Sequence, residues 1–579
     1  MVKRMVSLYR SFFFFSAMLL LPMLGSTQKS YEASGDPKIA KQFFSFGDYF
    51  TALKEYQYLY ILDTTKTEYC YPLGVCYLHT NIDKTKSIPL LEKVVAQKDF
   101  DAEAMYQLGA AYQSSCRFDE AIVCFNKYKT LSEGKDKNSI PLERCIEMCK
   151  NGIELVQHPI NVTFENLGSK INSPSPDFNP FVNKNETMLF YTSQRSSNNG
   201  GMLDFDGYFT ADVFASENNY GEWEKGRRLA PTFNSAMNEE TVGLAADASQ
   251  LFVFVDNFSA KMQTMVSYRE GKSFQSLTAL GSTINPSGKG ATSVSVTPDK
   301  KTIFFASAKD GGEGGSDIYM SNLLPSGQWG PVKNLGKTIN TKYNEDYPFI
   351  APDGKTLYFA SEGHNSMGGF DIFRSEWNAA ENTFSEPVNI GYPLNTPDDN
   401  TTISFTGSGR YAYISALRKD SYGNLDIYRV TFNDINPGYT TLVSNLVEKD
   451  SVDIYKIFYK KLTTRIDSLE KATDTAAVAK NSTPQLQVTA LKAKLQLLTE
   501  KLQSGPEVKI TVQSATNLAL VGNYKPNKQS GKFIVILTPG EYVVTIHCEG
   551  YQELKENVII INREMPIKEI TKSFRLTSI

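Results

Sequence analysis

Residues 300–307 read KKTIFFAS and are followed by GGEGGSDIY at 311–319. The same text returns as GKTLYFAS at 354–361 with MGGFDIF at 367–373, and as GRYAYIS at 409–415 with GNLDIY at 423–428. A fourth copy is ETMLFYTS at 186–193 with FDGYF at 205–209. Each copy joins an aromatic-rich strand to a glycine loop, and the loop to a strand or turn carrying an aspartate. A β-rich repeat of about fifty residues is the pattern of a propeller.

The other parts of the repeat follow from the same text. An inner strand enters through a short acidic motif, Glu345-Asp346-Tyr347-Pro348-Phe349-Ile350, and the turn Ala351-Pro352-Asp353-Gly354 supplies the φ values that Pro and Gly favour. The last strand ends near an Asn-Leu-Gly followed by Ile-Asn. That phrase can be counted: NLGSKIN at 166–172, a degenerate RLAPTFN at 228–234, ALGSTIN at 279–285, NLGKTIN at 334–340 and NIGYPLN at 389–395. The final repeat, ending at Phe432, lacks its own copy, whereas one copy precedes the first inner strand. The strand near 161–168 is therefore expected to supply the outer strand of the last blade. This closes a propeller over 160–434 with five blades, or six if a degenerate copy is hidden.

Asp206, Asp317, Asp371 and Asp426 recur with the repeat. A ring of carboxylates can hold a metal, but an Asp beside glycines at the start of a strand ordinarily accepts hydrogen bonds from loop N–H groups. The second blade has Thr264-Met265-Val266-Ser267-Tyr268 in the corresponding place. An incomplete ring favours the structural role, so no metal or cofactor is expected.

Before the propeller, residues 34–156 read as helical repeats. DAEAMYQLGAAYQSSCRFDEAIVCFNKYKTL from 101 onward puts Leu108, Gly109 and Tyr112 on one face of a first helix. Ala121, Phe125 and Tyr128 fall on one face of a second. Small residues let the helices approach and aromatics fill the gap, which is the tetratricopeptide pattern. Earlier copies carry Ala40, Phe43, Ala52 and Tyr56 around Gly47-Asp48, and Leu73, Gly74 and Tyr77. A last helix from Pro141 would cap the stack. Such stacks either dock protein partners or pack on a neighbouring domain.

After the propeller, residues 438–576 read as a small β-sandwich. Its signals are GKFIVI at 531–536, the Pro539-Gly540 turn and the alternation from Tyr542 to Ile546. A helical stretch at 448–503 interrupts it. Tyr455, Phe458, Leu462, Ile466 and Leu469 form one stripe; Val488, Leu491, Leu495, Leu498 and Leu502 form another. The polar run from Thr473 to Pro484 should be the link of an antiparallel hairpin, inserted after the sandwich's first strand. Asp474-Thr475-Ala476 in that run resembles a short O-glycosylation site, with Thr475 as acceptor.

Bulk properties exclude several classes. Residues 1–27 read as a secretory signal, with Lys3, Arg4 and Arg10 before the apolar run from Phe12 to Leu24. Removing those three bases leaves 57 of the 60 against 63 acids, a balance of −6, and no basic patch suggests nucleic acid. No later apolar run is long enough to span a bilayer. Six of the seven cysteines precede residue 150, and their spacing suits buried thiols better than disulfides or zinc. The sequence contains no nucleophile elbow, no H-E-x-x-H and no Walker loop, so no residue is assigned a catalytic role.

The order of signal, tetratricopeptide stack, WD40-like propeller and carboxypeptidase-regulatory-like sandwich resembles the PorE family of the type IX secretion system of Bacteroidetes. The sharpest likenesses are APDGKTLYF at 351–359 with GFDIF at 369–373, and YKPNKQSGK at 524–532. The resemblance implies a non-enzymatic scaffold in the periplasm, peripherally associated with the outer membrane and binding protein partners there. Family members usually continue into an OmpA-like domain that grips peptidoglycan. This sequence stops before it, so direct peptidoglycan binding is not expected. The alternative function is recognition of a glycan, peptide or peptidoglycan fragment at the propeller mouth.

Overall fold

The computed structural model describes residues 31–579, apart from 134–137, 139, 205, 220, 257–261, 449–451, 479–484, 528–529 and 565–566. The expected signal segment at 1–27 lies outside the described residues. The chain forms two compact units, Met1–Ile435 and Asn436–Ile579.

Helices open the first unit: α1 (Pro37–Phe46), α2 (Tyr49–Leu62), α3 (Cys70–Leu78), α4 (Ser87–Val95), α5 (Glu103–Ser114), α6 (Phe118–Leu131) and α7 (Leu142–Gln157). Each packs on its successor. The first turn shows why the chain reverses. Gly47 adopts φ +78° and closes α1, while the Asp48 carboxylate accepts from Thr51 N at 2.9 Å and opens α2.

Leu108, Gly109 and Tyr112 of α5 and Ala121 and Phe125 of α6 are all buried. A Cβ on Gly109 would lie 2.7 Å from the Phe125 ring, and one on Gly74 would lie 2.9 Å from Leu91. The absent side chains set how closely these helix pairs approach. Gly109→Ala is therefore expected to lower stability by about 1–3 kcal/mol, although helix propensity alone would raise it by about 1 kcal/mol. Chemical denaturation checks the sign; a stabilised variant would contradict the packing argument.

Antiparallel sheets follow, and the described residues contain five of them in this unit. The first is built on Asp177–Val182, Met188–Ser193 and Asp212–Asn219. The second uses Asn238–Leu244, Gln250–Asp256 and Gln263–Glu270. Ser293–Val296, Thr302–Ser307 and Asp317–Asn322 make the third; Glu345–Ile350, Thr356–Ser361 and Asp371–Asn378 make the fourth. Two-residue strands complete the outer edges of these four. The fifth sheet has Ile403–Phe405, Tyr411–Ala416 and Asp426–Phe432, and its outer strand is Val162–Asn166 from before the first sheet.

Each sheet buries aromatic and aliphatic side chains against the next. Phe181 and Phe190 of the first meet Leu251 and Val253 of the second, and Tyr413 and Ile427 of the fifth return to Leu189 and Tyr191 of the first. The arrangement is a propeller-like ring. Its innermost strands have one edge without a strand partner, so their N–H groups need other acceptors. Hydroxyls from the neighbouring sheet meet this need: Ile350 N donates to Ser295 Oγ at 3.0 Å, Thr241 N to Thr192 Oγ1 at 2.9 Å, and Val182 N to Ser404 Oγ at 3.0 Å. That explains why inner strands such as SVSV at 293–296 alternate apolar residues with serine.

The second unit is two facing sheets. Lys532–Leu537, Thr440–Val447 and Glu569–Arg575 form one; Leu520–Tyr524, Val508–Ser514, Gly540–Cys548 and Leu554–Ile560 form the other. Leu442, Val535 and Phe574 of the first meet Ile510, Val544 and Ile546 of the second in one core. Helices α8 (Ile454–Val478) and α9 (Gln485–Ser504) lie between Thr440–Val447 and Val508–Ser514 in the chain and pack on each other.

The link is shorter than expected: α8 continues from Thr473 to Val478, and the rest of the expected link, 479–484, lies outside the described residues. Thr473 and Thr475 donate their hydroxyls to the carbonyls of Leu469 and Lys471 four residues back, each at 2.7 Å. With those hydroxyls satisfied inside the helix and alanines around them, residues 473–478 have no reason to unwind. Thr475 is exposed on a helix, not on a loop.

Candidate functional site

The repeated aspartates have a common geometry. Asp317, Asp371 and Asp426 each open the third strand of their sheet, with an Asn from the outer-strand phrase beside them. Asn334 donates to Asp317 at 2.7 Å, Asn389 to Asp371 at 2.8 Å, and Asn166 to Asp426 at 2.7 Å. The carbonyl oxygen of that Asn accepts from a glycine N–H two residues on and from the second Asn of the phrase, in all three sheets. The second Asn then clamps the residue after the aspartate. Asn340 accepts from Ile318 N at 2.8 Å and donates to Ile318 O at 2.9 Å. The written phrase N-x-G-x-x-Φ-N is thus one hydrogen-bonded lock in each of the third, fourth and fifth sheets.

In the first sheet the structure corrects the assignment. Asp212, not Asp206, pairs with the end of the preceding strand, at Ser193, as Asp317 does with Ser307. Asp206 lies in the loop before it and accepts from Tyr208 N and Gln194 Nε2, each at 2.9 Å. The phrase there begins with Arg228, whose Nη1 lies 3.5 Å from Asp212. The second sheet has Gln263 at this position and Ala279 in the phrase. The second sheet thus lacks both acid and asparagine, whereas the first keeps the acid and replaces the asparagine by Arg228.

These acids are buried, and burial pushes Asp371 up to about 7; its Oδ1 has no hydrogen-bond partner among the described residues. Glu345, buried at the start of its inner strand, is likewise pushed up to about 7 by burial, against hydrogen bonds from Ser361 and Thr341. The sign follows. The unfolded chain releases these protons near pH 4, whereas the folded chain keeps them until about pH 7. Stability is therefore expected to fall as pH rises across that window, by about 3–4 kcal/mol for each group. Glu345→Gln should flatten the fall, measured as the difference in urea unfolding free energy between pH 5 and pH 8. An unchanged slope would count against it.

A dense polar constellation in the first unit joins the helices to the sheets. Arg144 of α7 is buried, and its guanidinium donates to the carbonyls of Glu362 at 2.7 Å, Gly363 at 2.8 Å and His364 at 3.1 Å, and to Ser366 Oγ at 2.9 Å. Glu147 lies one turn on, at 2.9 Å, and Tyr343 stacks beneath with 4.9 Å to its ring centre. Asn151 donates to Ser366 O at 2.9 Å and Gln113 to Met367 O at 3.2 Å, and Met367 is fully buried among the helical side chains. The loop is held from behind by Asp371, which accepts from Met367 N at 3.0 Å, and by Ser361, which accepts from Gly363 N at 2.8 Å. His364 Nε2 lies 2.9 Å from Ile339 O, and burial holds the imidazole pKa below the usual range.

Further contacts extend the junction. Asn81 donates to Asn424 at 3.0 Å, Asn424 donates to Tyr208 at 2.9 Å, Phe50 lies 5.3 Å from the Tyr208 ring, and Lys84 pairs with Asp398. The helices thus engage loops of the fourth, fifth and first sheets. Sequence reading missed Arg144. Its sign was a lone arginine among the apolar and cysteine positions of the capping helix.

No group of three or more His, Cys, Asp or Glu side chains is placed to hold a metal among the described residues. Of the seven cysteines, Cys116 is exposed and the other six are buried. No helix among the described residues is long and apolar enough to cross a membrane.

No protein-family model matches the chain, and no curated protein matches it. Among solved structures, the BT0996 RGII complex aligns at 7% identity and TM-score 0.34, covering 49% of this chain and 95% of that one. An α-L-arabinofuranosidase from Lactobacillus brevis aligns at 11% identity and TM-score 0.29, covering 48% and 96%. The Kuenenia stuttgartiensis hydrazine synthase aligns at 12% identity and TM-score 0.25, covering 64% and 98%. Similarity at this level assigns neither fold nor activity, and the architecture rests on the sheets themselves.

Proposed function

We propose that this protein is a non-enzymatic scaffold. In this reading α1–α7 are a tetratricopeptide stack, the ring is a five-bladed propeller, and the second unit is a carboxypeptidase-regulatory-like sandwich carrying a helical hairpin. The carrying observation is the Arg144 junction. It spends a buried charge on fixing a helical stack to loops of the sheets, which serves a rigid platform for partners. The repeated acids support the same reading, since Asp317, Asp371 and Asp426 are engaged in locking their own sheets. With the PorE-like order of segments, the reading extends to an exported protein at the periplasmic face of the outer membrane, in type IX secretion or a related envelope assembly.

Crosslinking and affinity purification of the tagged protein from native envelopes tests this. The expected result is co-purification of outer-membrane secretion subunits, with crosslinks on α1–α7 or on α8 and α9. Recovery of the protein alone would overturn the scaffold reading. A ligand-dependent thermal shift would then favour recognition of a glycan or peptide at the propeller mouth.

A further inference from the structure

The sandwich of the second unit has two unlike sides. On one side the edge strands Leu554–Ile560 and Glu569–Arg575 carry Lys555, Glu556, Glu569, Lys572 and Arg575, and Lys572 bridges to Glu556 at 2.6 Å. Charges of this kind keep an open sheet edge from pairing with another chain. On the other side the edge strands are Leu520–Tyr524 and Lys532–Leu537, reading LVGNY and KFIVIL. Lys532 is their single charge, and neither strand contains proline. Leu520 is 58% exposed, Ile534 57% and Ile536 63%.

Two hydrogen bonds show which backbone groups this open edge offers. Lys532 O accepts from Asn527 N at 2.7 Å, so the carbonyl of Lys532 points away from the neighbouring strand. Thr441 N donates to Lys568 O at 2.9 Å, so Thr441 turns its N–H away from its cross-strand partner Ile536. Both place residues 532, 534 and 536 in the positions whose N–H and C=O face outward. Those of Ile534 and Ile536 have no partner among the described residues.

We propose that this side of the sandwich is the interface of a symmetric dimer, in which Lys532–Leu537 of two copies pair antiparallel about a two-fold axis. The register follows from the groups left open. Setting Ile534 of one copy opposite Ile536 of the other uses the four outward groups of each copy in four hydrogen bonds. It also places the exposed isoleucines as direct cross-strand pairs on one face. Lys532 then stands opposite Thr538 of the second copy, so no like charges face each other. A second copy therefore supplies the uncharged, branched strand that this edge is built to accept. The three-stranded sheets become one sheet of six strands, and the exposed Leu520 lies on the same side in the layer behind.

Sedimentation velocity of the full chain across a wide concentration range tests the proposal. The expected result is a reversible dimer. Ile534→Lys should weaken it by roughly tenfold or more, whereas Asn557→Lys on the charged side should leave it unchanged. Hydrogen exchange of a peptide spanning 532–537 should slow as concentration rises in the wild type and not in Ile534→Lys. The melting curve of the monomeric variant shows that it is folded. A wild-type mass that stays monomeric overturns the proposal, whatever other strand the edge might bind. So does a dimer that survives Ile534→Lys in a folded variant.

Discussion

Replacing Arg144 by alanine is expected to destabilise the first unit by about 3–5 kcal/mol. The loss has two sources. The carbonyls of Glu362, Gly363 and His364 and the Ser366 hydroxyl lose a donor, and each buried group left unsatisfied costs about 1–3 kcal/mol. The packing of the guanidinium over Tyr343 is also lost. Arg144→Lys should recover little, because one ammonium cannot reach three carbonyls and a hydroxyl that a planar fork spans together. The measurement is urea unfolding combined with hydrogen exchange of residues 362–369. Fast exchange of that loop, with the sheets still protected, is the expected pattern. Unchanged exchange there would show that the junction does not depend on this arginine.

The second large effect concerns the closure of the ring. Glu186, in the first sheet's turn, accepts from Arg429 Nε at 2.5 Å, Arg429 Nη2 at 3.0 Å and the Tyr413 hydroxyl at 2.7 Å. Both partners belong to the fifth sheet, and Trp223 of the first donates to Tyr413 at 3.2 Å. Glu186 and Arg429 are 3% and 6% exposed, so the pair is fully desolvated. Arg429 keeps its proton at any accessible pH; its pKa is raised further by the Glu186 carboxylate, against the penalty of burial. Glu186→Ala would take the buried carboxylate from Arg429, whose remaining ion-pair neighbour is the exposed Glu165 at 3.7 Å, and would remove the acceptor of the Tyr413 hydroxyl, an expected loss of about 3–5 kcal/mol. Because much of that loss comes from a buried arginine deprived of its closest carboxylate, Glu186→Met with Arg429→Leu should cost less than the two single losses added together. A double-mutant cycle by chemical denaturation decides this. Simple additivity would mean that the pair does not hold the first and last sheets together.

The ring, the Arg144 junction and the open sandwich edge differ in how far they could be read from residues alone. Strands such as KKTIFFAS and GKTLYFAS announce themselves, because alternation and aromatic content are local and each copy repeats them. The Asn phrase was countable for the same reason, and its count put the last sheet's outer strand near Val162. Its meaning was hidden, since the lock joins residues 17 or 18 positions apart in two sheets and 260 apart in the last, and becomes visible only when Asn334 is seen beside Asp317. The first sheet misled for a related reason. Asp206 has the glycine neighbour of the motif, but backbone pairing selects Asp212, and register is a property of two strands.

Local sequence sets the segments of this protein: helical pairs before residue 157, repeated β units to Phe432, and a β unit interrupted by two helices. These follow from hydrophobic period, glycine placement and turn residues, all of which act within a few positions. Which charges are buried together is settled only in the folded chain. Arg144 finds the 362–369 loop, and Arg429 finds Glu186, across more than two hundred residues. Folding also keeps the run through Thr475 helical and leaves Lys532–Leu537 as an edge. The physical reason is the same in each case. A backbone group or charge removed from water must find its partner wherever the fold brings one, and spacing along the chain does not encode that distance.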